Sequence, residues 1–263
     1  MSTFLAVMAV GVLYPLFWMF SSAMKSNSEI FATPWALPTN PNFESYAKAW
    51  ESGVVSYFGN SLIVTIISLF LTLVLGAAAS FALTKLDLPL AKTVTFLLLG
   101  GLMVSPTMIL VPLFQLLQTL DLYNTHAGLI ILYVAYRLPF TVFLIRAYML
   151  TIPNELTEAA RIDGANTVQL FLRIVLPLSK PVLVSAGLVF VLFAWNEFPF
   201  ALVFINDTAL KTLPVGLLDF KSALQTDWPV LFAGLSIAAV PMMVAFILAQ
   251  RHFIRGLAEG MGK

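Results

Sequence analysis

Six long apolar runs, separated by polar segments of unequal length, set the pattern of this chain. They lie at roughly Phe4–Ala23, Tyr57–Thr84, Thr93–Leu117, Ala127–Tyr148, Pro181–Ile205 and Val230–Gln250. A helix of about 20 apolar residues crosses a bilayer, so each run predicts a membrane-spanning helix. Pro106 and Pro112 interrupt the third run. A broken helix at membrane depth is tolerated where it lines a cavity. The run Gly76-Ala77-Ala78-Ala79-Ser80 suits close packing of the second span against a neighbour. The fold class read from this pattern is all-α and integral to the membrane, with residues 1–263 forming one transmembrane domain.

Charge sets the orientation. Six spans put both termini on one side. With that side inside, the inner segments hold Lys85, Lys92, Arg146, Arg161, Arg173, Lys180, Arg251, Arg255 and Lys263. The outer loops hold Lys25, Lys48, Lys211 and Lys221. Nine basic residues against four follow the positive-inside rule, so both termini are expected in the cytoplasm. The chain is 60% hydrophobic and only 10% charged, against about 25% charged in a soluble domain. The first run lacks a basic leader and a small-residue cleavage site, which predicts a true span rather than a signal peptide. In the outer loop after it, Pro34, Pro38 and Pro41 favour an extended path. Asn42 is placed there to cap a short helix carrying Tyr46, Ala47 and Trp50 on one face.

The polar segment from about 151 to 180 reads as helix, tight turn, helix. Pro153 suits a first helical turn, and Glu155 and Glu158 follow where the helix dipole favours negative charge. Leu156, Ala159 and Ala160 fall at i, i+3 and i+4 and predict one small apolar face. Gly164 suits a helix end that turns through positive φ. Asn166 with Gln169 predicts a capping box for the second helix, which shows Leu170, Phe171 and Ile174 on one side. The apolar stripe is too narrow and too poor in large residues for a helix lying on lipid.

This spacing resembles the EAA loop of ABC importer permeases: Glu158-Ala159-Ala160, three residues, Gly164, nine residues, Ile174, one residue, Leu176-Pro177. Asn60-Ser61, Trp195-Asn196-Glu197-Phe198, Thr212-Leu213-Pro214-Val215-Gly216-Leu217, Gln250-Arg251 and Arg255-Gly256-Leu257 resemble the sugar-transporting branch, of the MalG and UgpE type. The resemblance implies a type I importer permease (MetI-like) fold of six transmembrane helices in a prokaryotic cytoplasmic membrane. It implies that Glu158, Ala159, Ala160, Asp163 and Gly164 belong to a cytoplasmic coupling helix that docks on an ATPase. The implied partners are a second homologous permease, two ABC ATPase subunits that bind ATP and Mg, and an extracytoplasmic solute-binding protein. Members of this family usually carry a basic segment ahead of the first span, so the resemblance implies a longer start than Met1.

Three polar residues within the spans are candidates for a solute pathway. Arg137 lies nine positions before Arg146, or about 14 Å from the inner boundary at 1.5 Å per residue. A charge near the midplane is costly unless paired or wetted. Arg137 therefore serves the substrate or forms a structural pair with the partner permease, and the structural pair is preferred. Glu197 and Asn196 are placed near the outer mouth, either on the pathway or hydrogen-bonded within the helix bundle. The depth gap between Glu197 and Arg137, about 11 Å on the same rise, argues against a direct ion pair.

The chain has no Gly-x-x-x-x-Gly-Lys-Ser/Thr phosphate loop, so it is expected not to be an enzyme and to draw its energy from another subunit. No cysteine is present, and neither His126 nor His252 has a metal-ligand partner at suitable spacing, so no metal site or cofactor is expected. A net charge of +1 gives no reason to expect nucleic acid. Other classes stay open at this point: a secondary transporter or channel, a scaffold that recruits an ATPase without transport, or an ABC permease for a non-sugar solute such as a glycerol-phosphate. Ion-coupled transport would call for more intramembrane carboxylates than Glu197 alone.

Overall fold

The computed structural model describes residues 2–221 and 226–261, with side chains described for 3–221 and 226–247. The expectations for Gln250, Arg251, His252 and Arg255, and for the two termini, rest on side chains outside that set. The described residues are helices and connecting turns. In order they are α1 Ser2–Ser22, α2 Asn27–Ala32, α3 Glu44–Ala49, α4 Val55–Lys85, α5 Ala91–Gly101, α6 Leu110–Thr119 and α7 His126–Met149. There follow α8 Asn154–Ile162, α9 Thr167–Gln169, α10 Leu176–Leu178, α11 Lys180–Asn196, α12 Pro199–Phe204, α13 Leu213–Gly216 and α14 Trp228–Met261.

Among the described residues four helical segments are long and apolar enough to cross a membrane: Thr3–Ser22, Glu44–Lys85, which is kinked at Gly53 (φ +119°), His126–Met149 and Trp228–Ile247. Two bent pairs raise the number to six. They are Ala91–Gly101 with Pro106–Thr119, bent by 95°, and Thr167–Leu178 with Lys180–Asn196, bent by 74°. The third run is thus two helices, and it breaks ahead of Pro106 only. Ser105 is extended (φ −73°, ψ 135°) and Pro106 opens a 3₁₀ turn, because the ring of a proline pushes its predecessor out of helical space. Pro112 sits in the first turn of α6, where its missing N–H is not needed.

The fifth run also differs from expectation. Its helix stops at Asn196, Glu197 is extended (φ −66°, ψ 127°), and Pro199 opens the separate α12. Two prolines account for the breaks around it. Pro181 lies in the first turn of α11 just past the 74° bend, where Ser179 Oγ donates to the Val175 carbonyl at 2.7 Å.

The chain forms two compact units, Met1–Ser61 with Asp207–Val244, and Leu62–Asn206 with Ala245–Lys263. In the first, the outer segment 207–220 is tied to the start of α4. Tyr57 donates to Asp219 Oδ2 at 2.9 Å, Asn60 Nδ2 to the carbonyls of Ala209 and Lys211 at 2.8 and 3.0 Å, and the Leu213 N–H to Ser61 Oγ at 2.8 Å. A Cβ on Gly216 would meet the Tyr57 ring at 2.2 Å, so only glycine fits there. The paired motifs Asn60-Ser61 and Thr212–Leu217 are therefore two sides of one contact. Earlier in this unit, Asn42 Oδ1 accepts from the Glu44 N–H at 2.8 Å, although the cap position of α3 itself is Phe43. The same outer loop, read as extended, contains α2, capped by Ser26.

In the second unit α4 packs on α7. Gly76 faces Thr141, whose Cγ2 would stand 2.9 Å from an added Cβ, and Ser80 Oγ donates to the Val142 carbonyl at 3.1 Å. This is the close packing that the small-residue run predicts.

Candidate functional site

The segment from 151 to 180 is the larger of two candidate sites. Pro153 occupies the cap position of α8 with an extended ψ of 138°, one place earlier than expected, and Glu155 lies in the first turn. The helix buries Thr157 and Ala160. It leaves Leu156, Glu158 and Ala159 exposed, and Ile162 at 87% exposure. The predicted face of Leu156, Ala159 and Ala160 is thereby corrected: Ala160 turns inward, and Ile162 joins Leu156 and Ala159 on the outside. The reason is tertiary. Ala160 packs into a cluster with Ile145, Met149, Ile152 and Leu170.

The turn is closed by backbone geometry. Gly164 has φ +86°. Its N–H donates to the Arg161 carbonyl at 3.0 Å, and the Ala165 N–H to the Ala160 carbonyl at 2.9 Å. This pair of bonds is a Schellman motif, which needs a residue free to adopt positive φ. Asp163 caps the helix end and is exposed. Asn166 and Gln169 then form the predicted capping box, with reciprocal bonds of 2.9 and 3.0 Å. Leu170 is fully buried, which contributes about 2 kcal/mol. The Phe171 ring lies 5.1 Å from that of Phe81.

A clasp joins this segment to the end of α4. Lys85 Nζ donates to the Ile152 carbonyl at 2.7 Å and to Asn154 Oδ1 at 2.9 Å. Arg161 Nη2 donates back to the Lys85 carbonyl at 3.1 Å. Both ends of α8 are thus fixed to one residue. Sequence reading treated Lys85 and Arg161 only as inner charges. A basic residue at the last turn of a span, followed by a helix-start proline far along the chain, carries no local mark of such a contact.

The second site lies around the middle of α7. Arg137 is half-buried, with its Cζ 4.4 Å from the Phe193 ring centroid and 5.2 Å from that of Phe140. Its Nε is sealed from solvent without a hydrogen-bond partner. Glu197 does not reach it. The Glu197 carboxyl is buried and accepts from Tyr133 Oη at 2.7 Å and from the N–H groups of Phe200 and Ala201 at 2.7 and 3.0 Å. These are the free donors of the first turn of α12. Of the two readings of Glu197, the bond within the bundle is the one observed. Asn196 is exposed, with its Nδ2 on the Leu192 carbonyl at 2.8 Å. Tyr133, the buried partner of Glu197, was not singled out from sequence, where it is one aromatic among many in an apolar run.

Apolar helices of membrane-spanning length, two of them as bent pairs, carry a polar helix–turn–helix clasped to the end of α4, the layout of a membrane protein. The chain belongs to the family of binding-protein-dependent transport system inner membrane components, whose pattern matches residues 89–259. It is 45% identical over 260 residues to the probable ABC transporter permease protein YurM of Bacillus subtilis, covering 99% of this chain and 87% of that one. It is 32% identical over 259 residues to the diacetylchitobiose uptake system permease protein NgcG of Streptomyces coelicolor, covering 97% and 86%. Its fold is similar to a chain in the crystal structure of a bacterial ABC transporter involved in alginate import. The TM-score is 0.86 at 22% identity, over 96% of this chain and 94% of that one. The expected importer permease fold is borne out. As a member of this family the chain is an ABC transporter permease subunit of the inner membrane, not an enzyme.

Proposed function

We propose that this chain is one of two permease subunits of an ATP-driven importer that carries a saccharide into the cytoplasm. The observation that carries the coupling part is the segment Asn154–Leu178. It is rigid, clasped at both ends of its first helix, and presents Leu156, Ala159 and Ile162 outward. Small and apolar groups beside Glu158 and Asp163 suit docking into a groove on an ATPase. The names of relatives such as the diacetylchitobiose permease support a saccharide as cargo. In this reading ATP and Mg bind on two ATPase subunits, a solute-binding protein delivers cargo from outside, and this chain holds no cofactor. The absence of further intramembrane carboxylates among the described residues counts against ion-coupled transport.

Orientation is tested by single cysteines in this cysteine-free chain. A cysteine at Asp219 is expected to react with an impermeant thiol reagent in intact cells, and one at Asn166 only after the membrane is opened. Labelling of Asn166 from outside would overturn both the orientation and the ATPase partnership.

The clasp makes a second prediction. Hydrogen bonds from a charged group contribute about 1.5–3 kcal/mol, less where water reaches them. In the reconstituted importer, Lys85→Met is expected to keep basal ATP hydrolysis while solute uptake per ATP falls about tenfold. Lys85→Arg, which retains the donors, is expected to restore most of it. An unchanged ratio of uptake to hydrolysis in Lys85→Met would show that α8 does not act through α4.

A further inference from the structure

We propose that Arg137 is the recognition point for a single acid group on the cargo, so that the importer carries a monoanionic, carboxylate-bearing saccharide. This rests on the saccharide-importer reading above and narrows its substrate class.

Arg137 stands halfway along the 24-residue α7, the depth at which a charge is most costly. No carboxylate pairs with it among the described residues, and the nearby Glu197 is committed to Tyr133 and the first turn of α12. Its counter-charge is not among the described residues. Sources beyond them are a neighbouring subunit and the cargo.

The backbone around Arg137 decides between them. Two interrupted spans flank α7. The broken end of α5 packs on it at Pro139, where an added Cβ on Gly101 would meet Pro139 Cγ at 3.2 Å. Phe193, which lies under the guanidinium, is within one turn of the broken end of α11 at Asn196. Unwound backbone at membrane depth is stable where it lines a wet cavity, and pairs of discontinuous helices near the midplane mark solute sites. A plain structural ion pair between two spans needs neither break. The half-buried rings of Tyr136 and Phe193 add flat apolar surface, with centroids 5.8 Å apart. Apolar and aromatic walls with one placed polar group describe a small-molecule site.

The charge count fixes the class of acid. One guanidinium matches one carboxylate, which it can hold with two parallel hydrogen bonds. A phosphate ester brings up to two negative charges, and one of them would stay without a counter-charge here.

The test uses the complete importer in cells, with a glucuronate-bearing disaccharide and its neutral, carboxyl-reduced counterpart as probes. Wild type is expected to take up the acid form. Arg137→Gln is expected to lower uptake of the acid form about tenfold or more at low concentration. Uptake of the neutral form and the yield of assembled complex stay unchanged, and Arg137→Lys restores part of the acid uptake. Three results would overturn the proposal while leaving the saccharide reading in place: wild type carrying only the neutral form, Arg137→Gln reducing both forms equally with loss of assembled complex, or Arg137→Gln changing neither. Transport of neither probe by wild type would overturn the saccharide reading and this proposal with it.

Discussion

Replacing Gly164 with proline is expected to abolish uptake while leaving insertion into the membrane intact. Proline fixes φ near −65°, and Gly164 holds φ +86°. The substitution also removes the N–H that donates to the Arg161 carbonyl at 3.0 Å. The Schellman turn between α8 and the Thr167–Leu178 helix cannot form in that state, so Leu156, Ala159 and Ile162 lose their fixed pose. The membrane helices do not depend on this turn, and the protein is expected in the membrane fraction at normal yield. Gly164→Ala separates the causes. It keeps the N–H and meets no neighbouring atom, but a non-glycine residue in the left-handed region costs about 1–2 kcal/mol. It is expected to lose uptake only in part. Co-purification of the ATPase and solute uptake are the measurements. Wild-type uptake by Gly164→Pro would refute the role assigned to the turn.

Glu197→Ala is expected to be the most destabilising single change in the described part of the membrane region. It strips partners from three buried donors: Tyr133 Oη and the N–H groups of Phe200 and Ala201. A buried donor left unsatisfied costs about 1–3 kcal/mol, so the total loss is about 3 kcal/mol or more. It also leaves a void beside Tyr133, which is fully buried. Glu197→Gln keeps one acceptor oxygen and the same volume, and is expected to lose much less. The thermal unfolding temperature of the purified complex and its yield from membranes should both fall in the order wild type, Gln, Ala. If Ala and Gln variants unfold together with wild type, Glu197 is not the cap of α12. If they are stable but fail in uptake, Glu197 belongs to the pathway after all.

Much of this was legible in the residues. The places of the apolar helices followed from run length, because a bilayer demands a fixed count of apolar residues and a helix is the simplest way to satisfy their backbone. The turn at Gly164 and the capping box of Asn166 and Gln169 followed from local chemistry, since each bond joins residues within a few positions. The close approach of α4 to α7 was half legible: Gly76 and Ser80 announce a close neighbour, and only the fold says that it is Thr141 and Val142. The continuity of the fifth span was misread, because hydropathy registers apolar length and does not register where the backbone stops being helical. Pro106 broke its span and Pro112 did not, although both are prolines in the same run.

The residues by themselves determined what depends on neighbours in sequence and on the membrane as solvent: helical class, the places of the apolar helices, the family likeness and the shape of the turn at Gly164. Only the tertiary structure decided which residues meet across long separations. Lys85 reaches Ile152 and Asn154, Tyr133 reaches Glu197, and Tyr57 meets Asp219. It also decided which way α8 rolls, burying Ala160 and exposing Ile162. The reason is that a helix surface offers several faces of similar hydrophobicity. The choice among them is made by hydrogen bonds and packing partners that lie far away in the chain.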